Sequence, residues 1–74
     1  MEAIKIFPNP AKDELNIITS NTLSSEIEIL NVMGAVLIKT KNKTKIDISS
    51  LNAGVYFLNV KQGENIYNYK FVKE

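Results

Sequence analysis

This chain contains no cysteine, no histidine, no tryptophan and no arginine. Without cysteine there is no disulfide, no thiolate nucleophile and no thiolate-built metal site. Without histidine the commonest general acid–base group is missing as well. Arginine is the side chain best suited to bidentate contact with phosphate or guanine, so its absence argues against nucleic acid as a partner. Charge of neither sign dominates: nine lysines face eight carboxylates, a net +1 that leaves no basic footprint. No apolar run approaches the ~20 residues of a membrane-spanning helix, so no direct membrane insertion is expected. The opening MEAIKIFPNP lacks the basic and long apolar regions of a signal peptide. Lack of cysteine names no compartment and is compatible with an oxidising one. The length of 74 residues fits a single domain, 1–74, that buries only about 60% of its extended-chain surface.

What is present is alternation. Apolar residues recur with period two in short runs separated by turn residues. Ile4 and Ile6 flank Lys5, and Pro8-Asn9-Pro10 then ends the strand by removing donors and fixing φ. Leu15 and Ile17 share a face in DELNIIT, NTLSS reads as a loop, and Ile27 and Ile29 alternate with Glu26 and Glu28. Leu30 breaks that alternation, which predicts a bulge or a strand covered on both faces. Gly34 supplies the φ > 0 of a hairpin turn before AVLIKT. KNK is a further turn, TKIDIS points Ile46 and Ile48 inward, and VYFLNV is apolar on both faces, as in a central strand. Gln62-Gly63-Glu64 is a tight turn, and NIYNYKFVK closes the chain with Tyr67, Tyr69 and Phe71 at even spacing. About seven short strands with no sustained helical period suggest a β-sandwich or barrel.

The segment DISSLNAGVYFLNV sharpens that choice. A strand leaves one sheet at Ile48, crosses, and enters the other at Val55. Leu51 plugs the core during the crossing, Gly54 gives the backbone freedom to turn, and the Tyr56 hydroxyl reaches a backbone group upstream. Immunoglobulin-like sandwiches make this step with such a tyrosine corner, and an immunoglobulin-like antiparallel sandwich is the expected fold.

Candidate chemistry is sparse. Asp13 and Glu14 are adjacent and point to opposite faces of a strand, while Glu26 and Glu28 share a face that reads as solvated. No catalytic residue, cofactor or metal is therefore expected. Asp13, Glu14, Asn16, Asp47 and Asn52 are hard oxygen donors near loops, yet no twelve-residue calcium loop is present. Tyr67 and Tyr69 could form a small sugar-binding platform, but alternating aromatics in a terminal strand more often face the core. Lys39, Lys41, Lys43 and Lys45 read as protection of a sheet edge.

Four segments occur in the order of a known family: FPNPAKDELNI, IEILNVMGAVL, DISSLNAGVYFLNV and KFVKE. Together they resemble the C-terminal sorting domain, type A, of the type IX secretion system of Bacteroidota, over essentially the whole chain. The motif residues are Pro8, Asn9, Pro10, Gly34, Leu51, Gly54 and Tyr56. Leu30 stands where the family often has an aromatic, and Asn31 where it often has aspartate.

The resemblance implies a non-enzymatic export tag on a larger secreted protein. Cargo passes the periplasm, is carried over the outer membrane by the translocon and its shuttle proteins, and reaches the cell surface or medium. A surface sortase-like peptidase then removes the tag, with the cut expected upstream of Ile4. The family places much of its signal in the last strands, here Gly63 and the segment Lys70, Phe71, Val72 and Lys73. Recognition by strand addition at the terminal strand is expected, with Lys70 and Lys73 read by the partner. The competing reading is a carbohydrate-binding or other extracellular immunoglobulin-like module appended to a secreted enzyme; a structural spacer is a third. Free sheet edges also allow a dimer of the isolated chain.

Overall fold

A computed structural model describes residues 4–19 and 24–74. Among the described residues there are seven strands: β1 (Ile4–Phe7), β2 (Glu14–Thr19), β3 (Ser25–Leu30), β4 (Val36–Lys41), β5 (Lys45–Asp47), β6 (Gly54–Gln62) and β7 (Asn65–Lys73). They form two antiparallel sheets, one ordered β1-β2-β5 and the other β4-β3-β6-β7. The expected immunoglobulin-like sandwich is thus the observed architecture. The loop expected at NTLSS falls, for residues 21–23, outside the described residues.

The period-two pattern builds the core directly. Leu15, Ile17 and Ile46 from one sheet meet Ile27, Ile29 and Leu58 from the other, all buried. Their strand neighbours Glu14, Glu26, Lys45 and Asp47 point outward, because successive side chains of a strand take opposite faces. The break in pattern at Leu30 is a bulge. The β3–β4 register shifts between Ile29 and Leu30, from Ile29 opposite Ile38 to Leu30 opposite Val36. Leu37 is the extra residue on β4.

Three turns fix the register. At the β3–β4 turn, Gly34 has φ +89°. The Asn31 side-chain oxygen accepts from the backbone N–H of Met33 (2.9 Å) and of Ala35 (3.0 Å). Aspartate would offer the same oxygen, which explains why asparagine serves here. At the β4–β5 turn Asn42 takes φ +57°, and its side chain accepts from Ser25 N–H at 2.9 Å, tying the turn to the start of β3. At the β6–β7 turn only Gly63 (φ +61°) and Glu64 lie between the paired Gln62 and Asn65. Glycine with positive φ at the first of two loop positions is the type II′ arrangement. Gln62, expected in that turn, is instead the buried last residue of β6. Its amide donates to Ser25 Oγ at 2.8 Å.

The crossing from β5 to β6 is the expected corner, with β5 ending at Asp47 and β6 opening at Gly54, each one residue earlier than the sequence suggests. Leu51 packs half-buried against the core, and the Tyr56 hydroxyl donates to the Asn52 carbonyl at 2.6 Å. The Tyr56 ring stacks on Phe71 with centroids 5.8 Å apart. The corner and the terminal strand are therefore one packed unit.

Candidate functional site

β7 lies at the edge of the four-stranded sheet, paired with β6 along its whole length. Its odd-numbered residues turn inward and its even-numbered residues outward. Phe71 is fully buried and Tyr67 and Tyr69 are half-buried against the core; Ile66, Asn68, Lys70 and Val72 are exposed. The Tyr69 hydroxyl donates to the Ile4 carbonyl of the other sheet at 3.3 Å. Tyr67 and Tyr69 therefore close the sandwich and present no flat outward platform for a sugar.

This parity divides the residues expected to meet a partner. Lys70 and Val72 are displayed. Phe71 is a core residue, and Gly63 sits in the β6–β7 turn. Lys73, expected to be read by the partner alongside Lys70, is only 9% exposed. It pairs with Gly54 on one side and bridges to Ala11 on the other, two residues with little or no side chain to exclude its stem. The aliphatic stem is covered while Nζ donates to the Glu74 carbonyl at 2.9 Å.

The Pro-Asn-Pro segment does more than stop β1. Both of its prolyl bonds, Phe7–Pro8 and Asn9–Pro10, are cis. Ala11 N–H donates to the Val72 carbonyl at 2.8 Å, and Glu74 N–H donates to the Ala11 carbonyl at 2.7 Å. The Asn9 side-chain oxygen accepts from Val72 N–H at 3.0 Å. Residues 9–11 thus occupy the outer edge of β7 at its C-terminal end. In an antiparallel ladder, alternate residues turn both backbone groups away from the partner strand. By that alternation Ile66, Asn68 and Lys70 direct theirs outward, like Val72, and among the described residues no backbone hydrogen bond reaches them. The edge is therefore closed beside residues 72–74 and open beside residues 66–70. A sequence reading takes the two prolines as a terminator. Only the through-space meeting of residues 9–11 with 72–74 shows them as a splint.

The oxygen-rich residues do not converge on a site. Asp13, Glu14 and Asn16 line an open depression of about 590 Å³ together with Pro8, Pro10, Lys12 and Glu74. Among the described residues no three carboxylates gather as metal ligands. The Asn52 carbonyl is taken by Tyr56. Asp47 accepts hydrogen bonds from Ser49, first from its hydroxyl and then from its N–H (2.9 Å), and these hold its carboxyl below the usual range. Glu28 faces Lys39 at 4.0 Å on the outer face. The lysines of β4 and β5 stand on the edge strands of the two sheets, where the edge-protection reading puts them.

Comparison with known proteins places these features in a family. The chain matches the secretion system C-terminal sorting domain over residues 5–74. It is 37% identical over 68 residues to beta-agarase D of Zobellia galactanivorans, a match covering 88% of this chain and 14% of that protein. The chain therefore belongs to the secretion system C-terminal sorting domains, the generally non-catalytic tails by which type IX secretion sends cargo to the cell surface or beyond.

Proposed function

We propose that the folded domain works as a removable handle: export machinery grips its terminal strand, and a sortase-like peptidase releases the cargo by cutting upstream of Ile4. The observation that carries this reading is the placement of β7. It is an edge strand, held rigid from inside by Phe71 and from its far end by residues 9–11, with Lys70 and Val72 displayed. A rigid, half-open edge suits recognition by strand addition, in which main-chain bonds give affinity and outward side chains give specificity. The position of β1 supports a cut upstream. Ile4 is buried and paired with Thr19, so a peptidase that must take an unpaired, accessible extended segment finds none within the strand. On this reading the domain transits the periplasm on its cargo and leaves it at the outer membrane.

A reporter carrying the domain without residues 69–74 should accumulate in the periplasm. Full-rate export of that truncated form would defeat the reading. Because removing Phe71 also empties the core, Lys70→Ala provides the second arm. Lys70 is exposed, so its truncation should move stability by no more than about 0.5 kcal/mol. Slower export at an unchanged thermal midpoint then reports recognition and not unfolding.

A further inference from the structure

The outer face of the four-stranded sheet is unevenly built. The pairings place Val36, Leu30, Phe57 and Lys70 in one row across all four strands, with Val55 and Val72 paired beside them. At the other end of the same face stand Lys39, Glu28, Asn59 and Asn68, then Lys41, Glu26, Lys61 and Ile66. Apolar residues are thus concentrated at the end nearest the C-terminus of β7. Val36, Val55, Phe57 and Val72 remain 48%, 40%, 37% and 38% exposed. VYFLNV reads as apolar on both faces, but among the described residues no second layer covers its outer one. Contiguous exposed apolar surface rimmed by polar residues marks an interaction site.

We propose that this apolar end docks a protein surface of the export machinery that presents apolar side chains around a carboxylate facing Lys70. The inference rests on the sorting function and assigns it a surface spanning four strands, of which β7 is one. Lys70 decides the occupant. It is the only charged residue in the apolar rows, and its neighbours on the face are Phe57, Val55, Asn59, Asn68 and Val72, none of them acidic. Among the described residues no ion pair reaches it. A partner carboxylate supplies the missing charge in a setting from which the apolar contacts exclude water. A second copy is the poorer fit, since both carboxylates on this face stand opposite lysines of neighbouring strands, Glu28 opposite Lys39 and Glu26 between Lys41 and Lys61. An anionic membrane is recognised by clusters of basic residues, and here a single lysine stands among apolar ones.

The test compares export of a signal-peptide-bearing reporter with four tails: unaltered, Lys70→Glu, Val36→Asp and Lys61→Glu. Val36 lies on β4, at the far side of the sheet from β7, so it separates a four-strand surface from recognition of the terminal strand alone. Lys70→Glu and Val36→Asp should each slow export about tenfold or more, with Lys61→Glu at the parent rate, because losses at an interface centre exceed those elsewhere on the face. If an acidic variant lowers the thermal midpoint, Lys70→Gln and Val36→Thr repeat the comparison without added charge. Parent-rate export of a folded Val36 variant overturns the proposal while leaving the sorting function intact. An unaltered tail that exports nothing would instead count against the sorting function itself. A dimer of the isolated chain dissociated by Val36→Asp, or retention on anionic vesicles lost with Lys70→Glu, assigns the face to another occupant and also overturns it.

Discussion

Replacing Tyr56 by phenylalanine deletes one oxygen at the point where the chain passes between sheets. The 2.6 Å bond from the hydroxyl to the Asn52 carbonyl is lost, while the ring remains free to stack on Phe71. Apolar burial is therefore nearly unchanged, and the effect isolates the corner hydrogen bond. A typical bond of this kind contributes about 1 kcal/mol net, and the partly buried carbonyl left behind raises the cost to about 1.5 kcal/mol. For a domain of this size that corresponds to a fall of about 6–12 °C in thermal midpoint. Urea unfolding followed by circular dichroism should show a lower midpoint at an unchanged slope, the mark of altered stability without altered surface exposure. Tyr67→Phe is the matched control. Its ring is half-buried on the same side of the core, and its loss of oxygen should cost no more than about 0.5 kcal/mol. If Tyr56→Phe proved as stable as the parent, the hydroxyl would not be holding the crossing, and the account of the corner would fail.

Three further outcomes follow from local geometry. Gly54→Ala should destabilise by about 1–2 kcal/mol through backbone conformation alone, since φ is +154° and an added Cβ meets nothing within 4 Å; a neutral result in chemical denaturation would refute it. Asn31→Ala should cost about 1 kcal/mol and Asn31→Asp should be close to neutral, because the turn needs only a side-chain acceptor for Met33 and Ala35; equal effects of the two changes would contradict this. The Asp47 carboxyl is depressed by its bonds from Ser49, so its contribution to stability is present above the unfolded-state value and is lost as pH falls through the folded one. Asp47→Asn should therefore flatten the acid limb of the thermal midpoint against pH, and an unaltered limb would show that the Ser49 bonds carry no stability.

The sandwich was legible because alternation maps onto faces without any knowledge of pairing. Leu15 and Ile17, Ile27 and Ile29, and Ile46 with Ile48 all turn inward as their spacing requires. The corner was legible for a different reason: Leu51, Gly54 and Tyr56 act within a few residues of one another, so local sequence contains the whole device. Four features were hidden. Lys73 reads as a surface charge, yet its face is set by the register with Phe71, and the small neighbours that admit its stem come from residues 54 and 11. Gln62 reads as a turn residue because it adjoins Gly63, whereas the turn needs only two positions. The splint between residues 9–11 and 72–74 joins the two ends of the described chain, and no period or motif announces a contact at that separation. The uncovered outer side of Val55 and Phe57 was hidden likewise, since an apolar run does not say what lies above it.

The central claim is that this folded chain is itself sufficient as an export handle. Its most direct test is to append the 74 residues to a periplasmic reporter in a bacterium with a working type IX system, then measure the reporter outside the cell and its intact mass. The account predicts reporter at the surface or in the medium, with a mass showing that the tail has been cut off upstream of Ile4. Tailed reporter retained in the periplasm to the same extent as a tail-less one would contradict it.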